Sequence, residues 1–130
     1  MTTDSHLFKT APAPSRLPLF EGKMIHQFTH QFSEPRYWID EQEGRKELIG
    51  KKTVDSKQLL DYQTFRIGFR DIARNTDERT LISSFIPRSV FCGNTLNLSK
   101  LIAPKDGLFA IALMNSFVAD WLGYALLAHG

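Results

Sequence analysis

Phe65-Arg66-Ile67-Gly68-Phe69-Arg70 carries apolar side chains at its odd positions and Arg, Gly, Arg at its even ones. Successive side chains leave opposite faces of a pleated strand, so period-2 alternation marks a half-buried β-strand. This phase predicts that Phe65, Ile67 and Phe69 enter a core while Arg66 and Arg70 point outward. The phase slips at Asp71-Ile72, which predicts a bulge or strand end. Asn75-Thr76-Asp77 is turn chemistry. Thr80 to Ile86 reads as a returning strand, stopped by Pro87, which cannot donate to a ladder. Val90 to Leu98 reads as a third strand, with Gly93-Asn94 as a bulge or turn.

Outward from this hairpin, Gly107 to Ala128 is long and largely apolar, but Asn115, Ser116 and Asp120 interrupt it. Ser116, Asp120 and Gly123 fall on one helical stripe at i, i+4, i+7. A membrane span needs about 20 apolar residues. The interruptions predict a helix docked on the sheet instead, with Asp120 at a polar edge. On the other side, 32–57 is polar and charged, with Pro35, Gly44 and Gly50 as breakers, and reads as an exposed excursion. A short helix is expected near Ser56–Tyr62, with Ser56 as its cap. Leu17 to Phe28 opens the folded part. Residues 1–16, ending in Ala-Pro-Ala-Pro-Ser-Arg, read as a flexible N-terminal arm. The expected fold is α+β: an antiparallel sheet, meander or hairpin, packed with a long C-terminal helix, in one domain over 17–130.

Composition narrows the function classes. Among 130 residues, 42% are hydrophobic and 23% charged, the balance of a globular chain rather than a disordered one. A domain of this size buries only about two-thirds of its unfolded surface, so a neighbouring domain would add to its stability. The net charge of +2 is not that of a basic nucleic-acid arm; cations facing DNA must be gathered on one face. The lone Cys92 forms no internal disulfide or multi-cysteine zinc site, and reads as a small core residue in a reduced compartment. The polar first 16 residues contain no apolar signal segment, which points to the cytoplasm and to no membrane partner.

Several polar groups carry candidate chemistry. Arg66 and Arg70 sit on one face of the predicted strand, about 13 Å apart at the rise of a strand. Their forked guanidinium groups suit phosphates and the guanine edge, or ion pairs with Asp71, Asp77 or Glu78. Arg74, Asn75, Thr76 and Arg79 surround the turn and can meet phosphate or base edges, or hold the hairpin through Asp77 and Glu78. Lys23, His26, Gln27 and His30 form a polar group. On a helix, His26 and His30 would share one face, but a metal needs a third ligand that the spacing does not supply. Glu21-x-Lys23, with Asp4 upstream, matches the tail of a magnesium-nuclease motif that is common by chance. Tyr37 and Trp38 beside Arg36 offer rings for an unpaired base, or anchors for a loop. There is no catalytic Ser/His/Asp or Cys/His constellation.

Three longer segments resemble one family. Pro18-Leu19-Phe20-Glu21-Gly22-Lys23-Met24-Ile25-His26-Gln27-Phe28-Thr29-His30 resembles a block that follows the catalytic domain in large adenine-specific DNA methyltransferases of type IIG restriction–modification and phage-defence systems. The segment from Tyr62 to Pro87, with Phe69-Arg70-Asp71-Ile72-Ala73-Arg74 and Thr76-Asp77-Glu78-Arg79-Thr80, resembles a second block. Leu113-Met114-Asn115-Ser116-Phe117-Val118-Ala119-Asp120 resembles the helix that follows. The blocks stand in the family's order and span most of 17–121.

The resemblance implies a target-recognition region that grips double-stranded DNA, with Lys23, His26, Gln27, Arg66, Arg70, Arg74, Asn75, Thr76 and Arg79 as its contact residues. The family pattern usually continues with an arginine and further elements after the position of Asp120. Here Trp121 to Gly130 is apolar, so an incomplete recognition domain is expected. Methyl transfer to adenine needs a Pro-Pro loop that binds the flipped base and a glycine-rich donor turn. The chain contains neither Pro-Pro nor Gly-x-Gly. It is therefore expected to hold no cofactor of its own, S-adenosylmethionine belonging to the missing catalytic domain. Alternative expectations are a protein-interaction module docking on a separate methyltransferase subunit, a decayed gene fragment, or a small magnesium-dependent nuclease.

Overall fold

The computed structural model describes residues 4–71, 81–100, 104–116, 122 and 125. The fold is α+β, and among the described residues it has two three-stranded sheets and two α-helices of more than one turn. The first sheet holds β1 (Arg16–Phe20), β2 (Tyr37–Asp40) and β5 (Phe91–Cys92), in the order β2-β1-β5. The second holds β3 (Arg66–Arg70), β4 (Ser83–Ile86) and β6 (Leu96–Lys100), in the order β4-β3-β6. Helix α1 spans Glu41–Ile49 and α2 spans Pro104–Met114.

The expected hairpin is present: β3 and β4 are antiparallel, with Arg66 opposite Ile86 and Phe69 opposite Ser83. The expected third strand divides. Its first part runs parallel to β1, Leu19 beside Phe91. Its second part lies antiparallel to β3, Arg70 beside Leu96. The break falls at Gly93-Asn94, where the Gly93 N–H donates to the Phe20 carbonyl at 2.8 Å. One continuous segment thereby serves both sheets, and the single antiparallel sheet expected from the sequence becomes two, one of them mixed.

The stretch expected as an exposed excursion contains β2 and α1. Asp40 caps α1 by accepting from the Gln42 N–H at 3.1 Å, and Gly50 ends the helix at φ +83°. Helix α1 is polar nearly all round, so it carries no amphipathic signal. It seats instead through Gly44, where an added Cβ would stand 2.5 Å from Phe91 Cζ. The expected Ser56–Tyr62 helix is a single 3₁₀ turn at Asp61–Gln63. Within the 1–16 segment, Leu7 and Phe8 pack against the core of Leu19, Ile39, Tyr62 and Phe91, and Lys9 pairs with Trp38.

A second core joins the sheets: Phe20, Met24, Ile25, Ile82, Ile86, Val90 and Leu96. Helix α2 opens at Pro104, whose fixed φ suits the first helical turn, and contacts β4. Gly107 and Ile111, with Asn115 just past its end, form its buried stripe. The expected helix Gly107–Ala128 is thus seen through Met114. Asp120 and the stripe it shares with Gly123 lie outside the described residues. Among the described residues no helix is long and apolar enough to cross a membrane.

Candidate nucleic-acid interface

The arginines of β3 correct the predicted phase. Arg66 is 4% exposed and Ile67 8%, whereas Phe65, assigned to the core, is 45% exposed. β3 is the central strand of its sheet, and its consecutive residues 66–68 are all buried, so both faces are covered there. Alternation separates two sets of side chains, but which set faces water depends on what covers each face. The Arg66 Nη2 donates to the carbonyls of Val90 at 2.8 Å and Pro87 at 3.3 Å. Its Nη1 donates weakly to Cys92 Sγ at 3.7 Å. Arg70 is half-buried. Its Nε donates to the Gly22 carbonyl at 2.8 Å, and its Nη2 to that of Ile25 at 2.6 Å. Both guanidinium groups therefore bind main-chain oxygens that end loops and turns, the role of a cap.

The carbonyls that Arg70 binds belong to the Glu21–Ile25 bend, built around a 3₁₀ turn at Gly22–Met24. Gly22 is held by its N–H donating to Thr95 Oγ1 at 2.8 Å. A Cβ there would fall 2.7 Å from the Thr95 carbonyl oxygen, so only glycine allows this approach. Fixing the bend presents Glu21 and Lys23 beside Arg36. Glu21 Oε2 lies 3.5 Å from Lys23 Nζ, and Oε1 lies 3.3 Å from Arg36 Nη2. The Lys23 and Arg36 side chains are 52% and 57% exposed. One carboxylate thus steadies two solvent-facing cations. A cleft of about 270 Å³ beside them is lined by Glu21, Gly22, Lys23, Arg70 and Thr95. With two cations for one carboxylate, this edge carries the net positive charge suited to a phosphate backbone.

The other expected contact residues are placed differently. Gln27 Nε2 donates to the Asn115 carbonyl at 3.1 Å. His26 packs its ring against Phe32, centroids 4.8 Å apart, and His30 stacks on Phe20 at 6.2 Å. Neither histidine is on a helix; His26 bridges Thr29 across a tight turn. Phe28, within that turn, has φ +64° and a ring 65% exposed. Arg74, Asn75, Thr76 and Arg79 lie outside the described residues. Tyr37 packs against Phe8 and takes the Arg36 guanidinium over its ring at 4.7 Å, as an anchor does. Among the described residues no three His, Cys, Asp or Glu side chains gather as a metal site. Burial pushes the Cys92 thiol up to about 11, an effect that neighbouring Arg66 offsets only in part.

Sequence reasoning missed two features. Arg36 joins Lys23 only because 33–36 folds back onto the bend, where Ser33 Oγ donates to the Lys23 carbonyl at 3.2 Å. Asn115 is the second. It is 5% exposed, accepts from the Ser83 N–H at 3.1 Å and donates to the Ser83 carbonyl at 3.0 Å. Its amide thus pairs with the outer edge of β4 as a neighbouring strand would. No model of a known protein family matches the chain, and no curated protein is significantly similar to it.

Proposed function

We propose that the chain is the DNA-binding, target-recognition module of an adenine-specific DNA methyltransferase of a restriction–modification or phage-defence system, and that methyl transfer resides elsewhere. The observation that carries this reading is the meeting of the three resembling blocks at Asn115. Gln27 of the first block reaches the Asn115 main chain, and the Asn115 side chain pairs with Ser83 of the second. Arg70 of the second block binds Gly22 and Ile25 of the first. Segments far apart in sequence behave as parts of one folded unit, as blocks drawn from one domain should.

In this reading Lys23 and Arg36 contact phosphates, Arg70 holds the bend that presents them, and Arg66 ties down the 87–90 loop. Arg74, Asn75, Thr76 and Arg79 remain contact candidates on sequence grounds. The reading is tested by titrating a fluorescent duplex with the purified chain over a range of salt. Binding whose log affinity falls linearly with log salt supports it; no duplex binding at low salt contradicts it.

A second reading rests on α2, where Leu108, Phe109 and Leu113 are 61%, 72% and 58% exposed. An apolar helical face of this kind suits docking on a separate methyltransferase subunit. Tight association with such a subunit in the absence of any duplex binding would favour it.

A further inference from the structure

On the other side of the bend a second, larger cleft of about 480 Å³ opens, and its chemistry is unlike that of the cationic edge. Phe20, Met24, Pro87 and Val90 form apolar walls, and Gln31 and Glu34 stand among its polar lining. A volume of this order with apolar walls and a few polar groups fits a compact planar ligand.

The charge beneath one wall narrows the choice. Arg66 is 4% exposed, and among the described residues its hydrogen bonds go to a thiol and two main-chain oxygens and it forms no ion pair. It is held by the main-chain oxygens of Pro87 and Val90, two residues that line the cleft. Its Nε has no hydrogen-bond partner. A buried cation without a counter-ion favours electron-rich groups nearby. Glu34, exposed and anionic, favours hydrogen-bond donors instead. The ligand should therefore be a flat ring with acceptors on one edge and donors on another. Guanine has this pattern: O6 and N7 accept, while N1–H and the 2-amino group donate side by side, as a carboxylate's two oxygens require.

We propose that this cleft binds a guanine base, with acceptor edge toward the Arg66 side and donor edge toward Glu34. The base can come from a free nucleotide or from an unpaired position in DNA. The site stands whether or not paired duplex binds.

The test is a titration of the 15N-labelled full chain with GMP, IMP, AMP and inorganic phosphate, followed by amide shifts at Gln31, Glu34 and Val90. GMP should saturate these shifts. IMP, which lacks the 2-amino donor, should bind about tenfold more weakly, the loss of one charge-assisted hydrogen bond. Glu34→Gln should bring the GMP-to-IMP ratio near one and leave the thermal melt unchanged. Equal shifts with inorganic phosphate or AMP overturn the proposal. So does a response only to a proline-rich peptide, which makes the cleft a peptide site. Comparing a duplex carrying one unpaired guanine with its fully paired parent identifies the source: tighter binding of the former assigns DNA, equal binding a free nucleotide. Loss of paired-duplex binding with GMP binding retained breaks the preceding reading alone, and the reverse outcome breaks this one alone.

Discussion

Arg66 and Arg70 direct their guanidinium donors at main-chain oxygens of loops, Pro87 and Val90 for one, Gly22 and Ile25 for the other. Lys23 and Arg36 share a single carboxylate and leave more than half of their side chains in water. The two pairs carry the same charge, yet one sits inside the joint between the sheets and the other on the rim. The difference shows that the cations of one fold divide into those that build the platform and those that stand on it. Where the hydrogen bonds go decides the division.

The comparison predicts unequal costs for removing these charges. Arg66→Ala leaves two buried carbonyls without a donor and should lower stability by about 3 kcal/mol in urea unfolding. Lys23→Ala should change stability by no more than about 0.5 kcal/mol. Similar costs for the two would erase the distinction between inside and rim.

Next in size is Gly44→Val. The added atoms meet the ring of Phe91, which is 1% exposed, and overpacking of this kind costs about 2 kcal/mol. A neutral result would detach α1 from the first core. Asn115→Ala removes both bonds to the edge of β4 and should cost about 1.5 kcal/mol. Its hydrogen exchange should quicken at Ser83 before Ile67, because only Ser83 loses its partner directly.

A pH-dependent stability effect belongs to the loop behind α1. Arg45 forks onto Asp55 at 2.7 and 2.9 Å and reaches the Gln58 carbonyl at 2.6 Å. The hydrogen bonds from Arg45, helped by the Lys57 N–H, hold the Asp55 carboxyl below its usual value of 3.8. A carboxyl lowered by folding contributes stability above its unfolded pKa and loses it as pH falls through the folded value. Asp55→Asn should therefore be less stable than the parent near neutral pH, with the difference shrinking as pH falls through the lowered pKa of Asp55. Parallel urea curves at neutral and acidic pH check the sign.

Much of the second sheet was legible in sequence. The hairpin appears because alternation and a Pro87 stop are local signals. The sense of its faces is not local: Arg66 is interior because the 87–90 loop supplies carbonyls that no pattern within 65–70 reveals. The splitting of 90–98 between two sheets was hidden for the same reason, since the partner of Phe91 is Leu19, far back in the chain. Helix α1 was missed because its charged residues give no periodic apolar stripe and its contact is made by a glycine. At the candidate site, Lys23 was visible as a polar residue in a resembling block. Its partner Arg36 was not, because the fold-back of 33–36 that joins them is a tertiary event.

The central claim is that the rim cations, and not the strand arginines, meet the phosphate backbone. The most direct test is the salt dependence of duplex binding for Lys23→Ala/Arg36→Ala beside the parent chain. Removing one phosphate-bound cation should flatten the slope of log affinity against log salt by about 0.9, so the double variant should have a slope shallower by about 1.8 while melting like the parent. A slope unchanged in a well-folded double variant would contradict the account.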